Sequence, residues 1–252
     1  PFYGLAVLCT DHPEVQAILP GVGRRRVTYG TNPQADFRAT NIRFEGPKTR
    51  FVLQVRGDDA AEVELAMLGA HNVSNAVAAC AVAEELGVDP AQAAAALSDF
   101  DGVERRFSVR GVANEVMVVD DYGHHPAEIR TTLDGARRAY PGRRVVALFQ
   151  PHRYSRTQAL ADEFMAAFTQ ADVVILTPIY AAGETPIEGV DHAWLGQGLL
   201  RHGHRDVRLA DDVDDGIRQT VTEVQPQDVV IAFGAGSIGR AGQEILRALK
   251  AS

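Results

Sequence analysis

Val145-Val-Ala-Leu-Phe-Gln-Pro-His-Arg-Tyr-Ser-Arg-Thr157 passes from an unbroken apolar run straight into a polar cluster. A strand with one wet face would alternate apolar and polar residues. A run apolar on both faces fits a strand covered on both sides, as in a parallel sheet between helices. The pattern recurs at Val116–Val119, Val173–Leu176, Val207–Leu209 and Val229–Phe233, each followed by a helix-length amphipathic segment. From Phe107 onward the chain therefore predicts an open, doubly wound, mostly parallel α/β domain of Rossmann-like type.

Ligands of such domains bind beyond the carboxyl ends of the strands. Four of the five ends carry polar or glycine-rich clusters: Asp120-Asp-Tyr-Gly-His-His-Pro, Gln150-Pro-His-Arg-Tyr-Ser-Arg-Thr, Thr177-Pro-Ile-Tyr-Ala-Ala-Gly-Glu and Gly234-Ala-Gly-Ser-Ile-Gly. Any one alone reads as a polar loop; four on one edge predict a site. In the first, adjacent His124 and His125 on an extended loop point apart, which favours substrate or nucleotide contacts over a metal. In the second, Arg153 and Arg156 stand three apart at the start of a helix expected to run on through Phe168. That spacing suits a grip on a carboxylate or phosphate. Gly234, Gly236 and Gly239 spell the dinucleotide pattern, but at the last strand, with no room for the acidic residue about 20 positions on. They read instead as a tight turn that lets backbone come close, and an NAD enzyme is set aside.

The residues before Phe107 follow another plan. Strands are expected at Tyr3–Cys9, Arg25–Tyr29, Phe37–Phe44, Arg50–Val55 and Val63–Met67, with a hairpin about Glu45-Gly-Pro-Lys. Helices are expected at Glu14–Leu19, Asn72–Leu86 and Pro90–Leu97, the last two parted by Gly87-Val-Asp-Pro. This gives two domains, residues 1–106 and 107–252.

Composition sets limits. The 252 residues are 46% hydrophobic and 23% charged, with a formal net charge of −8. An acidic balance argues against a nucleic-acid partner or an anionic membrane surface. Cys9 and Cys80, both in apolar surroundings, suggest neither a disulfide framework nor a cysteine metal site. No apolar run approaches the roughly 20 residues of a membrane span, so a cytoplasmic setting is expected. Pro1 leads straight into an apolar run and no Walker A sequence is present, so the chain reads as a piece of something longer whose phosphate loop lies elsewhere.

Three segments in order, Gly69-Ala-His-Asn-Val-Ser-Asn-Ala, Gly102-Val-Glu-Arg-Arg-Phe and Val119-Asp-Asp-Tyr-Gly-His-His-Pro, resemble the ATP-dependent ligases that build the peptidoglycan stem peptide. The resemblance covers essentially the whole chain. It implies a partial central ATPase domain, with a mixed sheet, followed by an amino-acid-binding domain. With Phe149-Gln-Pro-His-Arg-Tyr-Ser-Arg-Thr and Phe233-Gly-Ala-Gly-Ser-Ile-Gly, it points to the type that joins L-alanine to the lactoyl carboxylate of UDP-N-acetylmuramate through an acyl phosphate.

The resemblance also implies roles. Asn72 and Asn75 would lie near the adenine of ATP, flanked by His71. Arg106 would reach the phosphates, with Arg105 its less certain neighbour, and Asp121 would accept from ribose hydroxyls. Tyr122, His124, Arg153 and Arg156 would surround the amino-acid and lactoyl carboxylates, with His125 and His152 beside them. Arg106, His124, Arg153 and Arg156 would carry the chemistry. Mg²⁺ is implied by the ATP phosphates, with no metal ligand assigned in this chain and the missing N-terminal region of the same enzyme supplying the main ones. The alternatives are a relative that attaches a tripeptide to the same sugar nucleotide, a non-catalytic nucleotide-binding fragment, and a metal-dependent hydrolase using Asp120, Asp121, His124 and His125.

Overall fold

A computed structural model describes residues 3–46 and 48–251. The chain divides into two compact units, Pro1–Gly102 and Val103–Ser252. The expected division after residue 106 thus falls inside the second unit, and Arg105 and Arg106 belong with the later residues.

In the first unit, strands β1 (Leu5–Cys9), β2 (Arg25–Gly30), β3 (Phe37–Glu45), β4 (Lys48–Val55) and β5 (Asp58–Leu65) form one sheet in chain order. β1, β2 and β3 run parallel, β4 returns antiparallel to β3, and β5 is antiparallel to β4 in turn. The short helix α1 (Pro13–Ile18) links β1 to β2, and α2 (Ala70–Glu85) and α3 (Pro90–Ser98) follow the sheet. Alternation in β4 turns Thr49, Phe51 and Leu53 inward. There Phe51 and Leu53 meet Val73, Val77 and Cys80 of α2. Burial pushes the Cys80 thiol up to about 11, so it behaves as a small apolar group. The hairpin pairs Glu45 with Lys48 as the sequence suggests, although Pro47 lies outside the described residues. The last strand begins at Asp58, well before the expected Val63. Its first half, Asp58-Asp-Ala-Ala-Glu, has low strand propensity and is held by pairing with β4 across a turn at Arg56-Gly57.

In the second unit, β6 (Ser108–Ala113), β7 (Val116–Asp121), β8 (Val145–Phe149), β9 (Val173–Leu176), β10 (Val207–Leu209) and β11 (Val229–Phe233) form a sheet in the order β10-β9-β8-β11-β7-β6. Only β6 is antiparallel. The sequence does not announce it, because Ser108-Val-Arg-Gly-Val-Ala is a half-exposed edge interrupted by Gly111. Helices α4 (Pro126–Ala139), α6 (Ala161–Ala167) and α7 (His192–Arg201) share a core on one face, where the Phe149 ring lies 5.7 Å from Phe164 and 5.2 Å from Phe168. Helices α8 (Val213–Glu223) and α9 (Ala241–Ala251) cover the other. The single helix expected from Arg153 to Phe168 is two, α5 (Tyr154–Ala159) and α6, because Leu160 leaves helical geometry at φ −114°, ψ 30°. The last strand in sequence, β11, sits between β7 and β8. Its loop leaves toward one face while theirs leave toward the other, and this divergence opens the crevice at the carboxyl edge.

Asp120 and Asp121 end β7 on opposite faces, as strand geometry requires. Asp120 is buried, pairs with Arg110 of β6, and lies against Gly242 at the start of α9. A Cβ on Gly242 would stand 2.1 Å from the Asp120 Oδ1. Gly242→Ala is therefore expected to cost about 1–3 kcal/mol, read as a lower midpoint in thermal or urea unfolding. An unchanged midpoint would show that α9 shifts freely.

Candidate functional site

The carboxyl edge of the second unit is built by backbone exchange between loops. The Tyr122 N–H donates to the Arg105 carbonyl at 2.6 Å, the Gly234 N–H to Asp121 O at 3.2 Å, and the Gln150 N–H to Phe233 O at 3.1 Å. The Gln150 amide, buried, accepts from the Ile238 N–H at 3.1 Å and donates to the Ser237 hydroxyl at 3.0 Å, which shapes the turn after β11. That turn is packed against the unit's own side chains. A Cβ on Gly236 would stand 2.6 Å from Gln150 Oε1 and from Tyr180 Cγ, and one on Gly239 would stand 3.0 Å from an Arg105 Nη. The glycines thus admit Gln150, Tyr180 and Arg105, in keeping with a turn that lets other groups come close.

Asp121 does not face solvent. Its carboxylate accepts from Gly123 N–H at 2.7 Å, Phe107 N–H at 2.9 Å and the Thr132 hydroxyl at 3.3 Å. Burial pushes its pKa up against those donors. In this arrangement Asp121 ties the connector before β6 to the loop after β7. His125 is likewise occupied: it caps α4, its Nδ1 accepting from the Ala127 N–H at 3.3 Å. The Glu128 carboxylate answers by accepting from the His124 and His125 N–H groups at 3.1 and 3.2 Å. Burial alone would raise Glu128, yet the His124 N–H, the His124 ring and Arg106 hold it below the usual carboxylate range. Ser/Thr-x-x-Glu is the familiar form of this cap, and with histidine in first place the signal was there to be read.

What remains toward the edge is aromatic and cationic. The Arg105 and Arg106 guanidinium groups lie 5.0 and 5.9 Å from the Tyr122 ring centre. Tyr122 meets His124 edge-on at 5.2 Å, His124 lies 5.6 Å from His152, and His152 stacks on Tyr180 at 5.5 Å. His124 Nδ1 lies 3.0 Å from the Tyr122 carbonyl, an acceptor, so that nitrogen carries a hydrogen and donates it. Arg153 is exposed and Arg156 half-buried. The Arg156 Nη1 and the His152 Nδ1 are buried and find no hydrogen-bond partner among the described residues. Burial, followed by the charges of Arg156, His124 and Arg153, lowers the His152 pKa and keeps that ring neutral. Buried polar atoms without partners are costly. Tyr122, His124, His152 and Tyr180 thus form one row. Tyr180, Gln150 and Glu184 carry no role in the sequence reading.

Asp120, Asp121, His124 and His125 do not converge, since each turns to a different partner. Among the described residues no group of three or more His, Cys, Asp or Glu side chains stands ready to hold a metal ion.

In the first unit, α2 opens at Gly69, whose φ of +98° and contact with the His71 ring exclude a side chain. Asn72 is buried, with its amide donating to Leu68 O at 2.7 Å and accepting from Asn75 at 3.5 Å. Asn75 and His71 are exposed. Of the two asparagines, Asn72 therefore orients and Asn75 presents itself.

Comparison with known proteins agrees with this construction. Residues 105–236 match the family model of the Mur ligase glutamate ligase domain, and residues 1–83 that of the Mur ligase middle domain. The UDP-N-acetylmuramate–L-alanine ligase of Anaeromyxobacter dehalogenans is 51% identical over 99% of this chain and 54% of its own length. The chain thus spans about half the length of the curated relatives it matches. Among solved structures, the UDP-N-acetylmuramate–alanine ligase of Thermotoga maritima is similar with a TM-score of 0.75, at 27% identity over 89% of this chain and 48% of that one. A murein peptide ligase of Psychrobacter arcticus is similar with a TM-score of 0.69, at 26% identity over 99% and 52%. No helix among the described residues is long and apolar enough to cross a membrane. With more than half its length inside the model of one Mur ligase domain and most of the remainder inside that of another, the chain belongs to the Mur ligase family.

Proposed function

We propose that this chain is the adenosine- and carboxylate-handling portion of an ATP-dependent ligase of peptidoglycan synthesis that joins L-alanine to UDP-N-acetylmuramate. The observation that carries the reading is the edge of the second unit, where His152 lies in a row with His124 and Tyr122 and within electrostatic reach of Arg153 and Arg156, and where His152 Nδ1 and Arg156 Nη1 are buried with no partner among the described residues. Cationic and neutral donors gathered in a half-buried crevice suit a carboxylate, and they grip it more strongly than exposed charges would. In this reading Arg153 and Arg156 bind the carboxylates of L-alanine and the lactoyl group. Arg106 offsets charge on the transferred phosphoryl group, and His124 in its neutral form accepts at Nε2 a hydrogen bond from the incoming amine. Holding the two substrates together supplies much of the rate, because the chemistry itself is displacement: the lactoyl carboxylate is phosphorylated by ATP, and the L-alanine amine then expels phosphate.

Asn75 and His71 are accessible to an adenine edge, with Asn72 bracing Asn75. Asp121 acts by holding the loop rather than by touching ribose. Mg²⁺ enters with the ATP phosphates, and the described residues offer it no carboxylate cluster. A cytoplasmic location accords with the use of ATP and a sugar nucleotide. The solved alanine ligase and the solved murein peptide ligase resemble the chain to a similar degree. The relatives named for L-alanine, at about half identity, favour L-alanine.

The test is the full-length protein, this chain with its preceding region, given ATP, Mg²⁺ and UDP-N-acetylmuramate with either L-alanine or the tripeptide. UDP-N-acetylmuramoyl-L-alanine and ADP are expected in equal amounts, with no product from this chain alone. Preferential use of the tripeptide, or turnover by this chain alone, would overturn the proposal.

A further inference from the structure

Arg153 holds an unusual backbone. At φ 72°, ψ 135° it lies in a region that residues with a side chain rarely adopt. Such a conformation persists only where its surroundings impose it, and here they come from the loop after β9. The Arg153 N–H donates to Tyr180 O at 2.8 Å, and the Tyr180 N–H donates to Pro151 O at 2.8 Å. Together these make a short parallel bridge between His152 and Tyr180. Four residues on, the Glu184 carboxylate accepts from both the Ser155 N–H at 3.0 Å and the Ser155 hydroxyl at 2.6 Å. Arg153 is therefore pinned on both sides by one loop.

The side chains repeat the arrangement. The Tyr180 ring stacks on His152 with an interplanar angle of 23° and is backed by Gly236, where any Cβ would press into it. Glu184 stands 3.9 Å from the Arg153 guanidinium. That is too far for a firm hydrogen bond and near enough to bias its direction. The Glu184 hydrogen bonds go to Ser155, and the Arg153 guanidinium makes none among the described residues, so its donors stay available to a ligand. The Ser155 donors also hold Glu184 below the usual carboxylate range, so the arrangement persists at mildly acidic pH.

We propose that Tyr180 and Glu184 are positioning residues of the amino-acid subsite: the loop from Thr177 to Glu184 sets the direction of Arg153 and the plane of His152 toward the substrate carboxylate. This rests on the carboxylate reading given above. It concerns residues that touch no substrate, and it places the third polar cluster of the edge, Thr177 to Glu184, in the reaction.

In the full-length protein, Glu184→Ala is expected to raise the KM for L-alanine about tenfold while kcat and the KM for ATP stay within about twofold. Glu184→Gln keeps one acceptor for Ser155 and should recover most of that loss. Tyr180→Ala should raise the same KM, and Tyr180→Phe, which keeps the ring, should restore most of it. A fall in all parameters together, or an unchanged KM for L-alanine, would overturn the proposal. A second readout is independent of turnover. The backbone amide signals of His152 and Arg153 should move in Glu184→Ala and Tyr180→Ala and largely return in Tyr180→Phe; stationary signals would overturn it. If the unsubstituted full-length protein makes no UDP-N-acetylmuramoyl-L-alanine, the functional reading fails by itself, and the amide signals still decide whether the loop positions Arg153.

Discussion

Asp121→Ala is expected to cost the second unit about 3–5 kcal/mol of stability, from roughly 1–3 kcal/mol for each donor left without an acceptor. The carboxylate is buried and accepts from the Gly123 and Phe107 N–H groups and the Thr132 hydroxyl, which come from three separate segments. Its loss opens the start of α4 and the connector before β6 together. At about 2–4 °C per kcal/mol for a unit of this size, the thermal midpoint should fall by roughly 10 °C. Asp121→Asn keeps one acceptor oxygen and should lose less. Were Asp121 a ligand contact alone, Asp121→Ala would leave the midpoint of the ligand-free protein unchanged.

Arg156→Met in the full-length protein is expected to lower kcat/KM for L-alanine by roughly thirty- to thousandfold, from about 2–4 kcal/mol for removing one partner of a half-buried charged contact. Methionine keeps the stem and removes the Nη1 donor that has no partner among the described residues. Arg153→Ala should do less harm, because that guanidinium is half exposed and screened. The Arg156 charge also helps to depress the His152 pKa. Removing it eases protonation of the ring, so the His152 pKa should rise in Arg156→Met when followed by NMR. The sign for stability follows. A histidine depressed in the folded state contributes stability above its unfolded pKa of about 6.5, and that contribution is lost as pH falls through the folded value. Arg156→Met narrows this window. No change in either kcat/KM or the His152 titration would place Arg156 outside the site.

The parallel strands were legible because burial on both faces leaves a continuous apolar run. Val145–Phe149, Val173–Leu176 and Val229–Phe233 begin and end where the apolar residues do. Elements held by partners rather than by their own composition were not: the edge strand Ser108–Ala113, the first half of Asp58–Leu65 and the break at Leu160. Strand order was hidden too, since nothing in Val229–Phe233 tells that it enters between β7 and β8. For the site, residue type and position marked this edge but not the direction of each side chain. Asn72, Asp121 and His125 turn toward their own unit, whereas His152 and Tyr180, from neighbouring loops, stack together. A motif shows which groups are near; only packing shows which are already satisfied.

The most direct measurement is a crystal structure of the full-length protein with UDP-N-acetylmuramoyl-L-alanine bound. The alanyl carboxylate is expected within hydrogen-bond distance of Arg156 Nη1 and His152 Nδ1, two buried atoms without partners among the described residues. A carboxylate bound elsewhere, with both atoms still unpaired, would contradict the assignment of this edge as the amino-acid subsite.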